Sequence, residues 1–398
     1  MLLEQQSLPL AGIKVVEFTH MVMGPAAGLL LADLGAEVLK IEPLGGDNTR
    51  RLTGSGAGYF PMYNRNKRSL CIDLKSDAGK ALAQDLIAGA DIMIENFRPG
   101  AMDKLGFSYE SLSERNPRLI YCSLKGFLDG PYEHRTALDE VTQMMGGLAY
   151  MTGLPGKPMR AGSSVIDITG GMFGAIGILA ALEERHRSGL GQKVKSSLYE
   201  STAFMVGQHM AQQAVSGVAP QPMSVRTSAW AVYDIFDTAD SDQVFVGVVS
   251  DTQWRLLCEA FCFADFAADE SLALNNDRVA QRDRILPVIR QHFASVTKAE
   301  LMAALDKTGL PFAPIATPSD LFDDPHLNES GGLLNVTLPH TGTKTKLPAM
   351  PVDMGGRRMS IRHDLPGEGE GARAALLAAG MTTAAIDQLV SDGIIQAE

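Results

Sequence analysis

Apolar and polar positions along this chain fall into short runs bounded by glycine and longer runs with helical spacing. "GIKVVEFT" (12–19) has the length and β-branched content of a buried strand. "GPAAGLLLADLGA" (24–36) reads as a helix with a glycine stop, and "EVLKIEP" (37–43) as a second strand. A second round follows: helix "DAGKALAQDLIAGA", strand "DIMIEN", helix "SYESLSERN", strand "LIYCSLKG". Strands alternating with helices predict a doubly wound parallel sheet, with ligands at the carboxyl ends of its strands. "GGMFGAIGILAALEERHRSG" then predicts a long helix ending in basic residues and glycine. "QKVKSSLYESTAFMVGQHMAQQAV" predicts a strand and a further long helix.

Near residue 217 the pattern changes to the Pro- and Ser-rich "SGVAPQPMSVRTSAWAVYD". "AVYDIFDTADSDQVFVGVV" reads as two strands around a polar turn, followed by helices "DTQWRLLCEAF", "RDRILPVIRQHFASV" and "KAELMAALDKT". A smaller α+β domain over 217–325 is expected, between 1–216 and 326–398. In the last part, "TLPHTGTKTKLPAMPVDM" is extended and "GEGARAALLAAGMTTAAIDQLVSDGII" predicts two short helices.

Length supports this division, since 398 residues exceed one ordinary core. The net charge of −11 disfavours nucleic acid or an anionic membrane as partner, although a local basic pocket still suits a small anion. The start "MLLEQQSLPLAG" lacks the order of a signal peptide, and "GGMFGAIGILAAL" is short for a membrane span. A cytoplasmic protein is expected. The four cysteines form no metal spacing; Cys258 and Cys262, four apart in an expected helix, read as core packing.

The first strand–helix–strand unit suggests a dinucleotide site, with Glu42 where a ribose-binding acid belongs. The turn "THMVMGPAAG" lacks G-x-G-x-x-G, however, and sets Met21, Val22 and Met23 where a pyrophosphate needs bare backbone. Nicotinamide and flavin are therefore not expected.

The ordered segments "LAGIKVVEFTHMVMGP", "LADLGAEVLKIEP", "GDNTR", "YNRNKRSLCIDLK", "ADIMIENFRPGAMDKLGF" and "NPRLIYCSLKGF" carry a resemblance to the class III CoA-transferases. That family includes formyl-CoA transferase, carnitine CoA-transferase and the α-methylacyl-CoA racemases. "GILAALEERHRSGLGQKV" and "LPFAPIATPSDLFDDPHL" extend the likeness over nearly the whole chain. It implies an α/β fold with a Rossmann-like large CoA-binding domain built from both ends of the chain. A smaller α+β domain and an interlocked homodimer complete the expected architecture. No permanent cofactor or metal is implied; coenzyme A and acyl-CoA enter as substrates, with a carboxylic acid as acceptor.

Taken alone, Asp167 in "SSVIDITGG" reads as a helix N-cap. The resemblance instead places the family's nucleophilic aspartate there, after a short strand and before a glycine-rich helix start. In that role it carries CoA, from a short acyl-CoA such as succinyl-CoA, as an aspartyl thioester. Helix-terminal N–H groups would then hold the oxyanion, with Gly170 and Gly171 leaving space for the thioester. Asp139 matches a second acidic position; a solvated helix-start acid is the other reading. Racemases of the family have a histidine just before that acid, where this chain has Leu138. A racemase or isomerase, and a CoA-binding homologue without catalysis, are the alternative readings.

For CoA itself the likeness points to His20 and Met21 after the first strand and to Asn96 and Phe97 near the adenine. Ile72 is expected beside the ligand, and Arg68, Lys75, Arg98 and Lys104 at the phosphates, with Arg65 and Lys67 also in the basic run. Two departures bear on the substrate. Pro43 replaces an arginine of formyl-CoA transferase, and "SGVAPQPMSVRTSAW" has one glycine where that enzyme has a glycine-rich lid.

Overall fold

A computed structural model describes residues 7–226 and 228–398. The leader reading of "MLLEQQ" and Thr227 of the Pro- and Ser-rich stretch lie outside them. The chain divides into two compact units, residues 1–224 with 325–398, and the intervening 225–324. Residues 217–224 stay with the large unit because they are strapped to it. Met223 N–H donates to the Met151 carbonyl at 2.8 Å, and Ser224 Oγ to the Gly153 carbonyl at 3.0 Å.

In chain order the strands of the large unit begin with β1 (Lys14–Phe18), β2 (Glu37–Glu42), β3 (Lys67–Ile72), β4 (Ile92–Glu95), β5 (Ile120–Lys125) and β6 (Lys193–Ser197). The small unit holds β7 (Val232–Asp237), β8 (Gln243–Val248) and β9 (Phe312–Pro314), an antiparallel sheet covered by helices Asp251–Ala260, Arg282–Phe293 and Lys298–Leu305. After it come the hairpin β10 (Leu333–Thr337) and β11 (Lys344–Pro348), and finally β12 (Ile395–Gln396). The main sheet runs β12-β3-β2-β1-β4-β5-β6, parallel except for β12.

Strand alternation makes two cores from this one sheet. Val16, Phe18, Leu39, Ile41, Leu70 and Ile72 point to one face and pack on Leu82, Leu86, Leu376 and Ile386. Val15, Val38, Ile92, Ile94 and Ile120 point to the other. That second face is covered by α1 (Met23–Asp33) and by the helix expected from residue 170, which begins earlier. Three further helices matter below: α2 (Asp77–Ala88), α3 (Asp139–Met145) and α4 (Val165–Ser188), followed by α5 (Leu198–Ser216) and α6 (Ala372–Ala378).

Helix α4 absorbs Val165 and Ile166, so no strand precedes Asp167. Its 24 residues are long and apolar enough to cross a membrane by length and composition. One side nevertheless packs Ile166, Ile178, Ala181 and Leu182 into the core, as a core helix does. A Cβ on Gly171 would lie 2.6 Å from the Met23 carbonyl oxygen, and one on Gly170 2.6 Å from Met23 Cε. These glycines let α1 and α4 meet backbone to backbone; the expected space for a thioester is filled by Met23. In the small unit the Asp251 helix stops at Ala260, so Cys262 is exposed at φ 56° and does not share the buried face of Cys258.

Arg65 and Lys67, expected in the basic run at the phosphates, are turned inward at the start of β3. Arg65 and Lys67 are buried, Arg65 on Asp33 at 2.6 Å and Lys67 on Glu17 at 2.9 Å. Lys67 also donates to the Pro25 carbonyl and to Asn64 Oδ1. Burial lowers its pKa to about 8 despite the Glu17 charge. Glu42 is likewise engaged, accepting from Arg50 at 2.8 and 2.6 Å, from Ser69 Oγ at 2.6 Å and from Asp47 N–H. Burial opposes ionisation there, but the Arg50 hydrogen bond and the Lys40 charge prevail and bring Glu42 to about 2. It is a structural acid rather than a ribose ligand.

Candidate active site

The order β3-β2-β1-β4-β5-β6 reverses direction between β1 and β4, the place where doubly wound sheets open a crevice. A cavity of about 550 Å³ lies there, at the carboxyl ends of β1, β4 and β5. It gathers His20, Met21, Asn96, Phe97, Arg98, Asp139 and Asp167 from segments far apart in sequence.

The turn after β1 is built by polar bonds rather than glycine. Asn96 accepts from His20 N–H at 3.0 Å and donates to the His20 carbonyl at 2.9 Å, tying the β1 and β4 ends together. Lys40 Nζ holds the Thr19 carbonyl at 2.6 Å, and Met21 N–H donates to Thr49 Oγ1 at 3.0 Å. Met21 is thereby kept at φ 62°, a left-handed conformation rare for a large side chain, and stands exposed at the cavity. The His20 ring lies 5.2 Å from that of Phe97, and burial holds its pKa below the ordinary value.

Asp167 occupies the third residue of α4, and the capping task expected of it belongs to Asp139. Asp139 Oδ2 accepts from Ile166 N–H at 2.9 Å and Asp167 N–H at 3.1 Å, while Gln143 donates to Oδ1. Asp139 is buried, not a solvated helix-start acid. Val165 N–H goes to the Ser163 carbonyl and Ile168 N–H to the Ser164 carbonyl. The first N–H groups of α4 are thus spent, which removes this helix end as the expected oxyanion holder. Among the described residues none donates to the Asp167 carboxylate. Burial first, then the charges of Asp139 and Glu140, push its pKa up to about 7 against the opposing Arg160. Burial, and after it the Asp167 charge, raises Tyr63 to about 12.

Four expected residues are not brought to this cavity. Ile72 is buried in the core at the end of β3, Lys75 is exposed before α2, and Lys104 is exposed on the short helix Ala101–Leu105. Arg68 lines a separate cleft near the strands' amino ends. The cavity instead presents Lys125, His134 and Arg135, which sequence reasoning missed. For His134 and Arg135 the signal was the "HR" pair in the "EHRTALD" stretch leading to Asp139, and for Lys125 its place at the carboxyl end of β5. Lys125 is held by Glu95 at 2.7 Å and by the Phe97 carbonyl at 2.6 Å. Leu138 is also on the cavity wall and 59% exposed.

Residues 10–371 match the model of CoA-transferase family III. The chain is 36% identical to a succinate–glutarate CoA-transferase of Agrobacterium fabrum, over 81% of this chain and 84% of that one. It is 33% identical to an acetyl-CoA:oxalate CoA-transferase of Acetobacter aceti, over 90% and 92%. A CAIB/BAIF family protein of Brucella suis superposes with TM-score 0.82 at 32% identity, over 94% of this chain and all of that one. A switch-point crevice without dinucleotide glycines, set in such relatives, has one reading: the chain belongs to CoA-transferase family III.

Proposed function

We propose that this CoA-transferase moves CoA from a short acyl-CoA, such as succinyl-CoA, to a carboxylate acceptor through an Asp167-linked thioester. Asp167 attacks the donor thioester carbonyl, forming an acyl-aspartyl anhydride and releasing CoA thiolate. The thiolate then attacks the Asp167 carbonyl, leaving aspartyl-CoA and the donor acid. The acceptor carboxylate repeats both exchanges in reverse, so no bond energy has to be supplied from outside. One observation carries this reading: Asp167 faces the cavity with a carboxyl that has no hydrogen-bond partner among the described residues and is raised to about 7, while Asp139 does the capping. A more basic carboxylate is a better nucleophile, and the raised pKa still leaves a large ionised fraction near neutral pH.

His20, Met21, Asn96 and Phe97 are assigned to the pantetheine and adenine, and Arg98, Lys125 and Arg135 to the phosphates, because these line the same cavity. The relatives' names favour short acids: the dicarboxylates oxalate, succinate and glutarate, and acetyl-CoA as one donor. Leu138 speaks against α-proton exchange, since a leucine at that wall moves no proton. A homodimer fits the apolar face that Met172, Ile176, Phe204 and Met210 leave exposed along α4 and α5.

Intact-mass measurement after mixing with succinyl-CoA, with borohydride trapping, tests the chemistry. A modification at the Asp167 peptide that vanishes in Asp167→Ala is expected. Turnover with Asp167 never modified would remove the covalent route.

A further inference from the structure

A second cavity, of about 180 Å³, shares no wall with the first and lies toward the amino ends of β1, β2 and β3. Its walls are largely apolar, with Val16, Leu39 and Leu86 on one side and Ala375 and Ala378 from the α6 region on the other. Arg68 projects into it from β3 on the face shared with Leu70 and Ile72. Gly371, at φ 77°, lets the chain pass close to the Arg68 stem; a Cβ there would come within 3.0 Å of Arg68 Cγ. Among the described residues the half-buried Arg68 guanidinium has no hydrogen bond and no ion pair.

Its neighbours add to the imbalance. Arg362 gives Nη2 to the Ala32 and Ala36 carbonyls and keeps a buried Nε that has no partner among the described residues. Burial, then the Arg68 and Arg362 charges, hold His363 below its ordinary pKa. Of the acids nearby, Asp85 is engaged by Arg115 at 2.9 Å, Asp33 by Arg65 at 2.6 Å, and Glu37 is exposed. Lys14 stands at the same rim. A chain of net charge −11 thus keeps a cationic, apolar-walled cleft away from its catalytic aspartate.

We propose that this cleft binds an organic monocarboxylate with a compact apolar body, its carboxylate on Arg68 and its body against the α6 alanines. A guanidinium suits a carboxylate in two-point contact, and the apolar walls discriminate against an anion without a hydrocarbon part. The site is distinct from the transfer chemistry and does not depend on it.

Calorimetric titration of the full chain with hexanoate, in saturating CoA, is the test. One saturable site is expected, weakened by about tenfold or more in Arg68→Gln and unchanged in Asp167→Asn. Ala378→Phe, which narrows the cleft at an exposed position without touching a charge, should weaken it as well, so the idea does not hang on one variant. Inorganic phosphate should bind at least about tenfold more weakly than hexanoate. Absence of a saturable site in the folded protein would overturn the assignment. So would displacement of hexanoate by CoA, loss in Asp167→Asn with Arg68→Gln silent, or equal binding of phosphate.

Discussion

Beneath the sheet, Asp33, Glu17 and Glu42 each lie against a cation; at the start of α4, Asp167 lies against another carboxylate. In the first region the cost of burying charge is offset by Arg65, Lys67 and Arg50, and each group also receives hydrogen bonds. In the second the cost is retained. Asp139 accepts from two backbone N–H groups and Gln143, and its charge raises the neighbour. The same residue type is structural where it is paired, and where pairing is withheld it suits the nucleophile's role proposed for Asp167.

The contrast is broken most severely by Asp167→Ala. Transfer between succinyl-CoA and an acceptor acid should fall by about 10⁴-fold or more, read as initial rate. A loss within tenfold would mean Asp167 is dispensable. In the wild type, kcat/KM should rise with pH and level off above about 7, as the carboxylate form accumulates.

Arg65→Ala tests the paired region, leaving the buried Asp33 uncompensated. Urea unfolding should show a loss of about 3–5 kcal/mol, with a double Arg65→Ala, Asp33→Ala variant losing less than the sum. Gly171→Ala acts on the joint between the regions. Its Cβ would meet the Met23 carbonyl, so α1 and α4 must part, at about 1–3 kcal/mol and with a lower kcat.

The smallest effect is the sharpest. Between about pH 4 and 7 the folded chain keeps a proton at Asp167 that the unfolded chain has released. Stability from this group therefore falls as pH rises through that window, and the deficit is full above it. Asp167→Asn should melt a few degrees higher than the wild type at about pH 8 and no differently at about pH 4. Equal melting at both would show that Asp167 is not held unfavourably.

Local pattern made most of the large unit legible. "GIKVVEFT", "DIMIEN" and "LIYCSLKG" became β1, β4 and β5 because their apolar runs serve both faces of one sheet. Strand β3 was hidden by its own charges: Arg65 and Lys67 look like a solvated run until Asp33 and Glu17, 32 and 50 residues earlier, are seen to neutralise them. Asp167 was visible as a chemical candidate, but its freedom from capping was not, since that depends on Asp139 arriving from 28 residues away. Lys125 and Arg135 were passed over because only the crevice geometry selects among so many cations.

The pairing of β12 with β3 has a consequence for biosynthesis. Ile395 pairs with Ile72, so that edge of the main sheet is closed by a strand made 323 residues later. At about 5–20 residues per second, β3 waits roughly 15 to 65 s with one flank open, while the small unit emerges and folds in between. An open edge is a template for pairing with other chains. The burial of charge along β3, with Lys67 already neutralised by Glu17 from the same early segment, gives the nascent sheet a specific inner face before its last strand exists.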